Sequence, residues 1–141
     1  MVTYEEILAI TTKERGHNFG RKLSLGLFIR EHLKEAGPQG DYAYNIWQEW
    51  RRITIEHYER ERRKPGKGDS KSKHSKSRKT VPYYLWMLNR LGLVKRVGTS
   101  VGEDIWRRPT LRRHYAIVPE RLNDPAWVSP REAYDSAGRR G

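Results

Sequence analysis

The 141-residue chain contains no cysteine, which excludes both disulfides and thiolate metal sites. It has no apolar run approaching the ~18 residues that span a membrane, so we expect no membrane partner. The first residues lack a basic region followed by an apolar one, so no secretory signal is expected. These absences predict a cytoplasmic protein.

Sequence signatures of catalysis are missing as well. Residues 66–71 (GKGDSK) resemble a phosphate loop only superficially, because they lack the Gly-x-x-x-x-Gly-Lys-Ser/Thr spacing and follow no strand. The five histidines form no His-x-x-x-His pair. The acidic residues mostly face basic neighbours on helix surfaces, so no carboxylate pair indicates a nuclease metal site. We therefore predict that the protein is not an enzyme and needs no cofactor or metal.

What the chain has in excess is positive charge. Its 29 Lys and Arg against 17 Asp and Glu give a formal net charge of +12. Such an imbalance favours a polyanionic partner. The length suits one domain with a real core, to which eight Tyr and five Trp contribute much of the bulk.

Residues 80–94 carry the clearest structural pattern in the chain. Thr80 is a candidate helix cap, Pro82 suits the first turn, and Gly92 suits the left-handed residue that ends a helix. An apolar stripe at helical spacing predicts the buried face: Val81, Leu85, Leu88 and Leu91. The opposite face is predicted to present Tyr83, Trp86, Met87 and Arg90. For Trp86 a second interpretation stays open, in which it completes an aromatic core with Trp47 and Trp50.

A hairpin is predicted directly after this helix. The first strand begins at residues 93–97, and the second covers residues 113–118, with Tyr115 and Ile117 on one face. Glycine, Thr, Ser and Asp residues between positions 98 and 104 predict the turn. Six cations on this hairpin are candidates for phosphate contacts, although a solvated edge hairpin protected by charge is the alternative.

Three further helices are predicted upstream. Thr3 and Glu6 form a capping box for a short helix that ends before Gly16. This helix either covers the domain or forms a dimer arm. The second helix spans residues 23–36 and stops at the sequence GPQG, and Asp41 caps a third that runs to Arg62. His32, on an apolar face, is interpreted as a hydrogen-bonded core histidine.

Two segments, an insertion within the predicted domain and the C-terminal tail, differ in composition from the rest of the chain. From Arg60 to Lys79 there are ten Lys or Arg and two acids, a net +8. This insertion has no large apolar side chain after Pro65, so it is predicted to be mobile when free. Residues 119–141 are predicted as an extended tail anchored by Trp127 and Val128, in which Pro130 opens a last helical turn at residues 131–136. The domain limits are 1–20 for the N-terminal helix and its connection, 21–118 for the domain with an insertion at 63–79, and 119–141 for the tail.

The pattern Thr-Val-x-x-x-Leu-x-x-Leu-x-x-x-Gly-Leu-Val at residues 80–94 resembles winged helix-turn-helix regulators of the MarR and PadR types. The resemblance extends to Arg112-Arg113-His114-Tyr115, similar to a second wing strand, and to residues 40–47, similar to the Gly-Tyr-x-Ile opening of a second helix. It covers residues 22–118. It implies a mainly α fold with a small β-hairpin, a recognition helix at 80–91 and a wing at 93–118.

The favoured hypothesis is a sequence-specific or semi-specific binder of double-stranded DNA, acting as a homodimeric, nucleoid-associated transcriptional regulator of archaeal, viral or plasmid type. The predicted nucleic-acid contacts are Lys71, Lys73, Lys76, Arg78, Lys79, Thr80, Tyr83, Trp86, Arg90, Lys95, Arg96, Arg107, Arg108, Arg112 and Arg113. Two alternatives stay open. One is an RNA-binding or ribosome-associated protein, and the other is a winged-helix module that meets a protein partner through Tyr83 and Trp86.

Overall fold

The computed structural model describes residues 2–15, 23–62, 79–104 and 106–138. Its elements are α1 (Tyr4–Arg15), α2 (Leu25–Ala36), β1 (Asp41–Tyr42), α3 (Ala43–Arg62), α4 (Thr80–Arg90), β2 (Val94–Glu103), β3 (Pro109–Ile117) and α5 (Pro130–Gly138). The predicted class of mainly helical protein with a small β structure is confirmed at that level. None of the described helices is both long and apolar enough to cross a membrane.

The sheet has three antiparallel strands in the order β1-β3-β2. Asp41 pairs with Tyr115, and the hairpin register runs from Val94 opposite Ile117 to Glu103 opposite Pro109. The hairpin strands are therefore longer than predicted. The small residues at 98–102, which we expected in a turn, pair with β3 because a neighbouring strand outweighs local turn preference.

The junction between α2 and α3 corrects another prediction. Asp41 lies in β1, which was not predicted, and α3 begins only at Ala43. The Asp41 carboxylate accepts hydrogen bonds from the Tyr42 N–H at 2.8 Å and the Asn45 amide at 2.6 Å, and is 2.6 Å from His32 Nε2. Burial acts to raise the pKa of Asp41, but these hydrogen bonds outweigh it and lower the pKa below its ordinary value. His32 is thus the hydrogen-bonded histidine that was predicted.

The N-terminal helix packs onto the core of its own chain. Ile7 is fully buried, and the Tyr4 ring stacks on His57 of α3 with centroids 3.6 Å apart. Arg30 of α2 binds Glu14 of α1 through two hydrogen bonds of 3.0 and 3.1 Å. The predicted cap is present, since Glu6 N–H donates to Thr3 Oγ1. These contacts match the interpretation of α1 as a cover for the domain, and the homodimer stays a prediction.

Residues 119–129 are not extended as we expected, whereas the last helical turn predicted from Pro130 is present as α5. Two 3₁₀ turns (Pro119–Arg121 and Pro125–Trp127) lead into α5, which packs against α4. Trp127 is fully buried, and its indole N–H donates to the Arg121 carbonyl at 2.9 Å. Ser24, the N-cap of α2, donates to the Val128 carbonyl at 2.9 Å. The predicted anchors therefore exist, and α5, which follows them, packs beside α4.

Candidate nucleic-acid interface

Helix α4 starts at Thr80, the residue predicted to cap it, and Lys79 takes the cap position. Lys79 already has helical dihedrals (φ −77°, ψ −19°), so Thr80 lies inside the first turn rather than at the cap position. The C-terminal end agrees with the prediction: Gly92 has φ 80°, and the Leu93 N–H donates to the Leu88 carbonyl at 2.9 Å. A Schellman-type ending therefore turns the chain directly from α4 into β2.

Four α4 side chains form its buried face. Val81, Leu85 and Leu88 were expected there and are at most 1% exposed. Met87 was predicted to point outward, but it is fully buried. On a helical wheel Met87 lies roughly 40° from Leu91, at the edge of the apolar stripe, so a small rotation of the helix buries it. Met87 is therefore not part of the exposed face of α4, contrary to the prediction.

The opposite face of α4 exposes an aromatic and cationic surface. Tyr83 is 46% and Trp86 41% exposed. Their rings stack with centroids 6.0 Å apart, and the Arg90 guanidinium lies 5.4 Å from the Trp86 ring. Tyr134 of α5 packs against Trp86 at 5.1 Å. Trp86 is thus a surface residue rather than part of a core with Trp50, and Tyr134 is a contributor that sequence analysis missed.

The β2–β3 hairpin presents cations and apolar side chains on one face. By register, Arg96 and Arg113 lie on the same face as Tyr115, which packs against the core. On that face Val101 pairs with Leu111, and the two side chains are 74% and 59% exposed. This apolar pair was hidden to sequence analysis because both residues fell outside the predicted strands.

Asp104 organises the end of the hairpin. Its carboxylate accepts from the Trp106 and Arg108 backbone N–H groups, both at 2.9 Å, and from Arg108 Nε at 3.1 Å. Arg107 adopts a left-handed conformation (φ 59°) within this turn. The Arg108 guanidinium also lies 4.9 Å from the Trp106 ring. Arg108, a predicted phosphate contact, is therefore already engaged by an acid and an aromatic ring.

Arg112 is also held within the protein. Its guanidinium lies 4.6 Å from the Tyr42 ring and donates to the Glu103 carbonyl at 3.4 Å. A Cβ at Gly102 would overlap this guanidinium, so glycine leaves the space that Arg112 occupies. Arg112 therefore braces the hairpin against β1, in addition to any outward role.

The remaining predicted cations of this region have no carboxylate partner within the described part of the chain. They are Lys79, Arg90, Lys95, Arg96, Arg107 and Arg113, and all are exposed. Elsewhere the long cations are commonly paired: Arg52 bridges Glu49 and Glu56, and Arg60 binds Glu5 at 2.9 Å. Unpaired cations are thus concentrated on α4 and the hairpin.

The charge of the described residues is strongly divided along the chain. They contain 18 Lys or Arg and 16 Asp or Glu, a net of only +2. Residues 79–113 hold eight of these cations and two of the acids, a net +6, so the remaining described residues carry −4. Among the described residues, the positive charge is therefore concentrated on α4 and the hairpin, and the others are net acidic.

An open groove separates α4 from the hairpin. The α4–hairpin groove has a volume of about 620 Å³. Its lining includes Pro82, Leu85 and Trp86 from α4, Leu111, Arg113 and Tyr115 from β3, Tyr42 from β1, Tyr44 from α3, and also Lys79, Trp106 and Asp104. Aromatic and apolar side chains dominate these walls, and cations lie among them.

Four predicted contacts, Lys71, Lys73, Lys76 and Arg78, lie outside the described residues, as does most of the predicted insertion at 63–79. The other eleven lie within the described residues. Thr80 is in the first turn of α4, Arg108 and Arg112 make contacts within the protein, and the rest have exposed side chains. Within the described ranges no cluster of three or more His, Asp or Glu residues could hold a metal ion.

Comparisons with known proteins return no match to a protein-family model, to a curated protein or to a solved structure.

Proposed function

We propose that the chain is a winged helix-turn-helix protein that binds double-stranded DNA. The element order α2-β1-α3-α4-β2-β3 and the sheet order β1-β3-β2 support this assignment, since α4 then takes the place of a recognition helix and the hairpin that of a wing. A single helix of this kind fits the major groove and reads base edges there.

The observation that carries the proposal is the set of six exposed cations on the hairpin, on α4 and at its N-cap that have no carboxylate partner among the described residues. Leaving a cation unpaired next to others of the same sign has an electrostatic cost, which a polyanionic partner removes. The acidic remainder of the described residues disfavours contact through any other face. A duplex would therefore approach α4 and the hairpin together.

Different parts of the surface formed by α4 and the hairpin contact different parts of the duplex. Arg90 and Tyr83 on the open face of α4 contact base edges or thymine methyl groups in the major groove. Arg96 and Arg113 on the hairpin bind phosphates or enter the neighbouring minor groove. Lysines 71, 73 and 76 and Arg78 would add phosphate contacts next to the start of α4. A homodimeric transcriptional regulator is the biological role that we assign to such a binder.

A second candidate function is binding of RNA or unpaired strands. It is favoured by the exposed rings of Tyr83, Trp86 and Trp106, because aromatic side chains stack on unpaired bases. The same rings would serve a protein partner, and binding to one would then survive high salt.

The first prediction is that fluorescence anisotropy titrations give tighter binding to a mixed-sequence duplex than to either of its strands or to a structured RNA of equal length. Arg90→Ala should reduce discrimination between duplex sequences, since a base contact is worth about 1–3 kcal/mol. Lys13→Ala is the matched control, because Lys13 is exposed on α1 and has no ion pair in the described ranges. Preference for RNA, or equal loss in both variants, would contradict the proposal.

A further inference from the structure

We infer that the α4–hairpin groove accepts one unpaired nucleotide, so that the protein prefers a duplex carrying an extrahelical base over a fully paired duplex. This inference rests on the proposed function and specifies its substrate. It starts from a feature that duplex binding alone leaves unused, namely a groove of about 620 Å³ between the two elements that contact DNA. That volume lies within the ~300–1,000 Å³ of small-molecule sites.

The lining of the groove matches the chemistry of a nucleotide. Trp86 and Trp106 are 41% and 64% exposed, and Tyr44 is 37% exposed. Arg90 and Arg108 lie over the Trp86 and Trp106 rings, and the exposed remainder of each ring offers area for stacking on a base. Lys79 and Arg113 also line the groove and are unpaired within the described part of the chain, so phosphates on either side of the base would find cations. A base with its flanking phosphates satisfies both properties at once.

The position of the groove gives the nucleotide a route of entry. If α4 occupies a major groove and the hairpin the adjacent minor groove, one sugar–phosphate strand must pass between them. That strand lies over the groove, because the groove is the space between α4 and β3. A nucleotide extruded from this strand would enter without displacing either element.

The carboxylates of the groove suggest how a base would be held. Glu103 and Asp104 line the end near the hairpin turn, and a carboxylate accepts hydrogen bonds from the exocyclic amino groups of bases. Asp104 is already occupied by Arg108 and by two backbone N–H groups. Glu103, which is exposed, is therefore the carboxylate that we assign to an exocyclic amine.

An acidic or apolar peptide is a poorer occupant. The groove holds two acids as well as cations, and a nucleotide can meet the acids with its exocyclic amine and the cations with its phosphates, whereas an acidic peptide side chain can meet only the cations. The walls of the groove carry the aromatic rings of Trp86, Trp106 and Tyr44, and a flat base can stack on such rings. Extrusion of a base costs a few kcal/mol in a paired duplex and much less when the base has no partner. The groove therefore selects for bases that are already unpaired.

The test compares three fluorescein-labelled duplexes of one sequence: fully paired, with one extra unpaired adenine, and with an abasic residue in place of that adenine. We expect the unpaired adenine to tighten binding about tenfold over the paired duplex, since stacking on an aromatic ring is worth ~1–3 kcal/mol per base. The abasic duplex should bind within about threefold of the paired one, because it offers the same flexibility without a base.

Three variants show whether the groove carries this preference. Trp106→Ala should reduce it to less than about threefold, and Trp106→Phe should retain most of it. Val101→Ala is the matched control, because Val101 is equally exposed on the same hairpin but does not line the groove. Both alanine variants remove exposed side chains and should fold normally.

The outcomes separate this inference from the proposed function. Equal affinity for all three duplexes, or an abasic duplex as good as the adenine one, overturns the inference and leaves duplex binding intact. A preference that survives both Trp106→Ala and Trp86→Ala also overturns it. Binding of the adenine duplex alone supports the groove and overturns general duplex binding, and no binding to any of them overturns both.

Discussion

Alanine at position 40 is expected to lower the free energy of unfolding by more than about 3 kcal/mol, whereas alanine at position 37 should cost about 1–2 kcal/mol. Both glycines end the α2 segment with φ near +70° and ψ near −160°, a region that is almost closed to residues with a Cβ. Only Gly40 also approaches another strand. A Cβ there would overlap the Tyr115 carbonyl oxygen, whereas nothing lies within 4 Å of one at Gly37.

The large effect expected at position 40 follows from the close approach of Gly40 to β3. Gly40 precedes Asp41, which pairs with Tyr115 and links β1 to the hairpin. Moving the backbone away to accommodate a methyl group would break that pairing and the Asp41 hydrogen bonds beyond it. Urea unfolding followed by circular dichroism measures both variants, and equal destabilisation at the two positions would show that the approach to β3 is unimportant.

Raising the salt concentration from 50 to 200 mM is expected to weaken duplex binding by about 10³-fold or more. Six unpaired cations, each neutralising one phosphate, predict a slope of log K against log salt near −5. Any contribution from Lys71, Lys73, Lys76 and Arg78 makes the slope steeper. Anisotropy titrations at four salt concentrations give this slope directly.

Two double variants show whether the cations of the hairpin account for the slope of log K against log salt. Arg96→Ala with Arg113→Ala removes two cations from one hairpin face, and the slope should become shallower by about 2 for every duplex sequence. Lys13→Ala with Lys34→Ala makes the same change in net charge on α1 and α2, and should leave the slope nearly unchanged. A similar reduction in both double variants would mean that net charge, rather than this surface, drives binding.

Local sequence patterns predicted the helices well. Thr80 and Pro82 at the start, Gly92 at the end and the apolar stripe between them located α4 to within a residue, because those signals act within one turn. The aromatic and cationic face of α4 followed from the same periodicity. The prediction that Met87 is exposed was wrong because this residue lies at the boundary of the apolar stripe, where packing against neighbours rather than spacing decides burial.

Features that depend on distant contacts could not be predicted in this way. The pairing of Val101 with Leu111 extends the hairpin through residues with turn preferences, and only the partner strand reveals it. The contact between Tyr134 and Trp86 joins α5 to α4 across 48 positions of the chain. The groove itself requires α4, β3 and the start of α3 at once, so no segment of sequence contains it.

The most direct measurement of the central claim, that the exposed side of α4 meets duplex DNA, uses the indole N–H signals of the tryptophans in ¹⁵N-labelled protein. Trp86 and Trp106 are exposed beside the groove, whereas Trp50 and Trp127 are at most 1% exposed in the core. Adding duplex at low salt should shift the Trp86 and Trp106 signals and leave the other two in place. An unchanged Trp86 signal at saturating duplex, with shifts of the backbone amide signals of α1 or α2 instead, would contradict the account.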